Sequence, residues 1–263
     1  MTVSRDSGTR LRPMPLWLSF ILFGVPGAFI YWGMYYGVPL LLQRGIPLVI
    51  SFALLSSPGI LLLIASLVAY RLDGYSWRWA EFKERFRLHA IKRRDWLWVI
   101  GIFLICTISD ESLQGIGRWL ATIPLFAPPD YLPALFNPLK DVHLPLTEFL
   151  GTPIKGNWGI LVLWIPLTLL SMVGEEFMWR GYILPRQELV HGKWAWLANG
   201  LLWAFLVHAC MKWHYIGMLP SMLLTPWLAQ KLKNTTASAI VHVGGNAVLF
   251  WLLLLSGVLG IGG

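Results

Sequence analysis

Charged residues are scarce in this chain. Only 13% of its 263 residues are Asp, Glu, Lys or Arg, whereas 56% are hydrophobic, and a soluble domain carries roughly 25% charged residues. This composition excludes an ordinary soluble domain and predicts an all-α fold, a polytopic transmembrane helix bundle of seven to eight spans. The 16 tryptophans and 8 tyrosines are consistent with this class, because their rings favour the headgroup level.

Cysteine is also scarce. Cys106 and Cys210 are the only two, both in apolar surroundings, so neither a disulfide framework nor a zinc-ligand spacing of cysteines is predicted. The net charge of +8 does not indicate a nucleic-acid partner, because the basic residues cluster at the ends of apolar segments, as membrane topology requires. No internal repeat and no long polar linker is apparent, so the sequence predicts a basic N-terminus over 1–14 and a single bundle over 15–263.

Seven apolar segments are candidate membrane spans, of which the fifth and sixth are short, since about 20 residues cross a hydrocarbon core about 30 Å thick. They lie near 15–42, 46–70, 96–123, from 158 onward, 194–211, 215–230 and 237–259, and an eighth span or a re-entrant piece stays open. With the N-terminus in the cytoplasm, 16 of the 21 Lys and Arg residues lie inside, which satisfies the positive-inside rule. The expected location is a plasma membrane, prokaryotic by default, since no organelle-targeting segment appears.

The segment 71–94 is predicted to lie on the membrane surface. Trp79, Phe82 and Phe86 fall near one helical face and basic residues flank that face, a pattern typical of an amphipathic helix on an anionic leaflet. A helix that docks a partner is the alternative. The proline-rich, mostly uncharged loop over 125–157 is expected to cap the outer face.

Two adjacent acids and an arginine lie in the fourth apolar segment. Glu175, Glu176 and Arg180 are ionisable groups at membrane depth, which are costly and usually face a cavity or a partner. Glu176 and Arg180 share a helical face at i, i+4, so their charges can offset each other, whereas Glu175 points away from that pair. Glu175 is therefore predicted to face a cavity. An ion-pair network that holds two helices together is the alternative for this motif alone.

Two later segments contribute further polar groups. His208 lies in the fifth segment, and His242 and Asn246 lie four residues apart in the seventh, so that both fall on one helical face. An imidazole and an amide presented together are suitable hydrogen-bond donors for a developing oxyanion. Three spans that each bring an acid, a base or a donor indicate chemistry inside the membrane.

The ordered set of Glu175-Glu176-x-x-x-Arg180, then His208, then His242-x-x-x-Asn246 resembles the CAAX protease and bacteriocin-processing family, which includes the type II CAAX prenyl endopeptidases. The resemblance covers about 171–251, within a predicted core over 160–251. It implies a helical intramembrane endopeptidase of the glutamate type. The roles that it implies are water activation by Glu175 and His208, oxyanion stabilisation by His242 and Asn246, and support of the site by Glu176 and Arg180.

One position departs from the family pattern. The family has Phe four residues before the middle histidine, whereas Ala204 holds that place in this chain and Phe205 follows it. The departure concerns the substrate pocket more than His208 itself. For Glu175 to meet His208, the fourth helix must continue well past Arg180, and the fifth must begin late or tilt.

The expected partners are membrane lipids and a protein or peptide substrate, whether prenylated or merely hydrophobic. No cofactor is expected. The alternative is a zinc-dependent protease with Glu175, His208 and His242 as ligands, although such an enzyme normally has a separate carboxylate base, and the nearby Glu176 is assigned to Arg180. A transporter and a non-proteolytic scaffold are further alternatives.

A second polar patch lies in the third segment, formed by Asp110, Glu111, Gln114 and Arg118. It is interpreted as an extracellular helix end, with a gate or a substrate contact as the alternative.

Overall fold

The computed structural model describes residues 11–144 and 146–261, and at Asn246 the backbone alone. Almost all of the secondary structure within that part is helical. The α-helices are α1 (Leu16–Trp32), α2 (Val38–Gln43), α3 (Leu48–Leu72), α4 (Trp79–Arg85), α5 (Trp96–Ala121), α6 (Trp158–Glu175), α7 (Leu184–His191), α8 (Ala195–Phe205), α9 (Tyr215–Leu232), α10 (Thr235–Val243) and α11 (Leu249–Leu259). Two short antiparallel strands, β1 (Glu148–Phe149) and β2 (Thr152–Pro153), form a hairpin before α6.

Four helical runs are long and apolar enough to cross a membrane. They are Leu16–Gln43, Leu48–Leu72, Arg93–Ala121 and Trp158–Phe205, and α11 is a shorter apolar helix. The fold is therefore an all-α integral membrane bundle, as predicted. Gly192 separates α7 from α8 within the longest run, where its φ of +52° is a conformation that glycine adopts without steric penalty.

The fifth predicted helix is shorter than expected. It was predicted over 194–211, but α8 ends at Phe205, and His208 and Met211 have non-helical backbone angles. The cause is local, because Nδ1 of His208 lies 3.2 Å from the carbonyl oxygen of Trp203. A side chain that occupies a helix carbonyl competes with the backbone ladder, and here the α-helix stops.

The seventh predicted helix is interrupted. The helical run predicted over 237–259 is present, but a π-helical turn at Gly244–Val248 divides it into α10 and α11. A second π-helical turn, Glu176–Ile183, joins α6 to α7. Such turns insert a residue into a helix and are frequent at functional sites.

Helices α3 and α6 approach each other very closely. A Cβ atom added at Gly174 would lie 2.0 Å from the carbonyl oxygen of Gly59, and one added at Gly59 would lie 2.6 Å from Cα of Ser171. Only glycine permits this distance between the two backbones. The contact fixes the end of α6, and therefore the position of Glu175.

The segment after α3 packs against the bundle. The helix α4 has seven residues, and Phe86, directly after it, is fully buried against Gly181 and the ring of Phe177. Phe86, on the predicted amphipathic face, therefore packs against the π-helical turn Glu176–Ile183.

Two buried arginines anchor that same region. Arg85 donates a hydrogen bond to the Gly181 carbonyl at 2.9 Å, and Arg85 and Arg186 share the Asp73 carboxylate. Burial lowers the pKa of Arg85 from its ordinary value. Asp73 is the counter-ion that both guanidinium groups have in common.

The loop before α6 covers one end of the bundle, as the sequence suggested. Phe149 of β1 packs edge-on against Trp164 of α6, with ring centroids 5.1 Å apart, and Leu132 and Ile154 are fully buried in the same cluster. The hairpin therefore closes the apolar core next to the cavity described below.

Candidate active site

A cavity of about 520 Å³ lies inside the bundle. Its wall is mainly apolar, and Glu175, His208 and His242 line it. A mostly apolar cavity with a few convergent polar groups is the usual form of a binding or active site.

Glu175 ends α6 and is only partly buried. The indole Nε1 of Trp203 donates a hydrogen bond to its Oε2 atom at 2.8 Å. One carboxylate oxygen is thus held by the protein. The prediction that Glu175 faces a cavity rather than Arg180 is in agreement with this geometry.

His208 contacts the same tryptophan as Glu175. Its Nδ1 atom lies 3.2 Å from the Trp203 carbonyl, and the two rings are perpendicular with centroids 5.3 Å apart. A carbonyl only accepts hydrogen bonds, which assigns the proton to Nδ1 and leaves Nε2 as the unprotonated nitrogen of the neutral ring. The fourth helical run continues past Arg180 through α7, to His191, as the sequence required. The fifth helix does not begin late, because α8 begins at Ala195.

Glu176 is almost completely buried and has three partners. Ser238 donates to its Oε2 atom at 2.6 Å, while Oε1 lies 3.0 Å from Nδ1 of His242 and 3.5 Å from Nε of Arg180. The predicted ion pair with Arg180 is present. The bonds to Ser238 and His242, which lie on α10, were not predicted.

Arg180 has no exposed surface. Its guanidinium lies 3.6 Å from the centroid of the Trp203 ring, within the range of a strong cation–π contact. Glu176 and Trp203 therefore hold the buried charge together, one by its carboxylate and the other by its ring face.

The side chain of Asn246 lies outside the described part, so its expected pairing with His242 stays a prediction. Two residues at the site were missed in the sequence, Trp203 and Ser238. The departure at Ala204 was a signal for the first, because an aromatic residue stands one position earlier. Phe205 is 44% exposed and packs on Tyr215, with centroids 5.2 Å apart.

The second polar patch reaches the cavity. Asp110 and Glu111 line its wall, and Oδ1 of Asp110 lies 2.9 Å from Nε2 of His214. Gln114 donates to Glu111 at 2.8 Å. The interpretation as a simple helix end is therefore incomplete at Asp110 and Glu111.

The geometry bears on the zinc alternative. Among the described residues, no three His, Cys, Asp or Glu side chains are grouped so that they could hold a metal ion. Of the three ligands considered, His242 already has one ring nitrogen bonded to Glu176.

The helical bundle, with Glu175, His208 and His242 at the wall of one mainly apolar cavity, defines a polytopic membrane protein with a candidate site inside the bundle. A family model described as type II CAAX prenyl endopeptidase Rce1-like matches residues 157–248, which include all six predicted site residues. The resemblance drawn from the motifs is confirmed over that range. At the family level the match supports a CAAX-type intramembrane protease.

Two curated relatives come from Lactococcus lactis subsp. lactis (strain IL1403). The UPF0177 protein YxdF is 28% identical over 158 residues, which cover 57% of this chain and 86% of that protein. The UPF0177 protein YbdI is 24% identical over 172 residues, or 65% of this chain and 80% of that protein. No solved structure matches the chain.

Proposed function

We propose that this protein is an intramembrane endopeptidase of the glutamate type, acting on a peptide bond of a membrane-associated protein or peptide. One observation carries the proposal: Glu175 and His208, from separate helical elements, both bond to Trp203 and both line one cavity. An acid and an imidazole that both bond to one fixed residue are held ready for acid–base chemistry.

The proposed reaction begins with a water molecule between the two groups. Oε1 of Glu175 and Nε2 of His208 each accept one of its hydrogens, because Oε2 and Nδ1 are already bonded to Trp203. The water oxygen then forms a bond to the carbonyl carbon, and its proton passes to Glu175. The carbonyl π electrons move to the oxygen, which becomes the oxyanion.

His242 and Asn246 are the proposed partners of that oxyanion. The bond from Nδ1 of His242 to Glu176 leaves Nε2 for the cavity, and Nε2 donates a hydrogen bond when the ring carries both protons. Collapse of the intermediate then breaks the C–N bond, and Glu175 returns its proton to the leaving amine.

The substrate class follows from the wall of the cavity. Its mainly apolar wall suits a hydrophobic or lipidated segment presented from the membrane. The bacterial relatives and the excess of basic residues on one side favour a prokaryotic plasma membrane with the N-terminus in the cytoplasm.

Purified full-length protein in lipid nanodiscs tests the proposal. The probes are a farnesylated peptide that ends in a CAAX sequence, the same peptide without the lipid, and a library of hydrophobic peptides, with products read by mass spectrometry. We expect cleavage of at least one probe, loss of cleavage in Glu175→Gln and His208→Ala, and retention in Glu148→Gln, an exposed acid of β1.

Two results separate the alternatives. If Glu175→Gln and His208→Ala both cleave as fast as the parent, the protease proposal is wrong. Activity should persist in a strong chelator of divalent metals, whereas loss in chelator and recovery on adding zinc would establish the zinc mechanism instead.

A further inference from the structure

Trp203 occupies the centre of the candidate site. It is 1% exposed, and it contacts Glu175, Arg180 and His208 with three different parts of the residue. The indole N–H meets the first, the ring face meets the second, and the backbone carbonyl meets the third.

We infer that Trp203 is a positioning residue that orients both Glu175 and His208 for water activation. The inference rests on the proposed function. Among the described residues, Trp203 provides the sole hydrogen-bond donor to Glu175. Because an indole N–H can only donate, its bond fixes one oxygen of Glu175 as the acceptor, so the other oxygen is directed to the water.

The ring itself is held on several sides. Arg180 covers one face at 3.6 Å, and the rings of His208 and His242 pack nearly perpendicular to it at 5.3 and 4.9 Å between centroids. These contacts restrict the two side-chain torsions of Trp203, so the direction of its N–H is set before a substrate arrives. A fixed donor is more effective than one that must reorganise during reaction.

The backbone of Trp203 orients His208, the second of the two residues proposed to activate water. Its carbonyl holds Nδ1 of His208, and the same contact coincides with the end of α8. Since this bond uses the main chain, substitution of the Trp203 side chain removes the Glu175 contact and leaves the His208 tautomer in place. The two contacts can therefore be tested separately.

Trp203→Phe tests the role of the indole N–H. It keeps an aromatic ring beside Arg180 and removes the donor. We expect kcat to fall about 10- to 100-fold, since a hydrogen bond to a charged group is lost and the carboxylate is misplaced, while KM stays unchanged.

Trp179→Phe is the matched control. Trp179 is also fully buried and stacks on Phe23 with centroids 4.1 Å apart, but its Nε1 atom has no hydrogen-bond partner in the described part and it does not line the cavity. This variant should lower the unfolding temperature to a similar degree and keep the parent kcat.

An activity-independent measurement tests the hydrogen bond directly. The protein is labelled with ¹⁵N at the indole nitrogens, and a two-dimensional ¹H–¹⁵N NMR spectrum is recorded. The indole cross-peak that is missing from the spectrum of Trp203→Phe belongs to Trp203, and the one missing from that of Trp179→Phe belongs to Trp179. We expect Glu175→Gln to shift the Trp203 cross-peak and leave the Trp179 cross-peak in place.

The outcomes separate this inference from the proposed function. If the parent cleaves a probe but Trp203→Phe keeps its kcat, or both Trp→Phe variants lose kcat equally, the positioning role is wrong and the protease proposal stands. If the parent cleaves none of the probes, the protease proposal fails, and the cross-peak shift alone decides whether the Glu175 contact exists.

Discussion

Two adjacent glutamates have opposite environments in this protein. Glu175 is partly exposed to the cavity, whereas Glu176 is 1% exposed and bonded to Ser238 and His242 and paired with Arg180. The turn of about 100° per residue in a helix is enough to direct them to different surroundings. The same substitution at Glu175 and at Glu176 is therefore expected to have different effects.

Amide substitution at each glutamate should separate activity from stability. Glu176→Gln leaves the Arg180 charge without a counter-ion, so we expect a loss of about 3–5 kcal/mol in the free energy of unfolding. Glu175→Gln keeps an acceptor for Trp203 and should unfold at nearly the parent temperature, but without peptidase activity. Thermal unfolding in nanodiscs measures the stability of both variants, and the cleavage assay measures their activity. Equal stability of Glu176→Gln and the parent would contradict the description of Glu176 as the buried counter-ion.

Ser238 offers a finer test at the same scale. Its hydroxyl is fully buried and donates to Glu176 at 2.6 Å. Ser238→Ala should lower the free energy of unfolding by about 1–3 kcal/mol, the usual cost of leaving a buried acceptor unsatisfied. Thr236→Ala, at a partly buried position of the same helix, is the control. Equal losses in the two variants would show that the hydroxyl of Ser238 has no special role.

At the residue scale, the sequence allowed only local relations to be predicted. The Glu176–Arg180 pair follows from i, i+4 spacing, and Glu175 was placed by the same geometry. Ser238 and Trp203 contact these residues across helix interfaces, and no spacing rule relates positions on separate helices. Their roles required the packing of α8 and α10 to be known.

At the scale of elements, interrupted helices surround the candidate site. The π-helical turns Glu176–Ile183 and Gly244–Val248 and the irregular segment Val207–His214 each lie beside or contain a predicted site residue. The start of each apolar segment could be predicted to within a few residues, because hydropathy marks it. The positions of the interruptions could not be predicted, because the hydropathy of an apolar segment is the same whether its backbone is α-helical or π-helical.

The glycine contact between α3 and α6 gives a prediction for these elements. Gly174→Ala would place a methyl group 2.0 Å from the Gly59 carbonyl, so the helices must separate, and we expect a loss of about 1–3 kcal/mol in stability, as for other overpacked cores, together with reduced activity. Unfolding temperature and cleavage rate are the measurements.

Gly101→Ala is the control for this substitution. Gly101 lies in α5 with no atom within 4 Å of an added Cβ, so alanine should stabilise the helix by about 0.5–1 kcal/mol. A Gly174→Ala variant as stable as Gly101→Ala would mean that α3 and α6 are not in close contact.

At the scale of the whole molecule, membrane orientation is the main prediction that the sequence makes and the fold leaves open. The excess of basic residues predicts that the loop around α4 lies in the cytoplasm and the hairpin loop outside. A single cysteine at exposed Asp141 should react with a membrane-impermeant maleimide in intact cells. A cysteine at exposed Glu84 should react only after permeabilisation.

Cys106 and Cys210 are buried but line the cavity, so both are first replaced by alanine. The reverse labelling pattern would place the N-terminus outside and contradict the assignment by basic residues.

The non-helical backbone at His208 has a consequence for water, the second reactant of the proposed hydrolysis. Unwound backbone at membrane depth is tolerated only where it is enclosed by protein or lines a water-filled space, and His208 lines the cavity. The irregular backbone after α8 therefore lies beside the place where the proposed reaction consumes water.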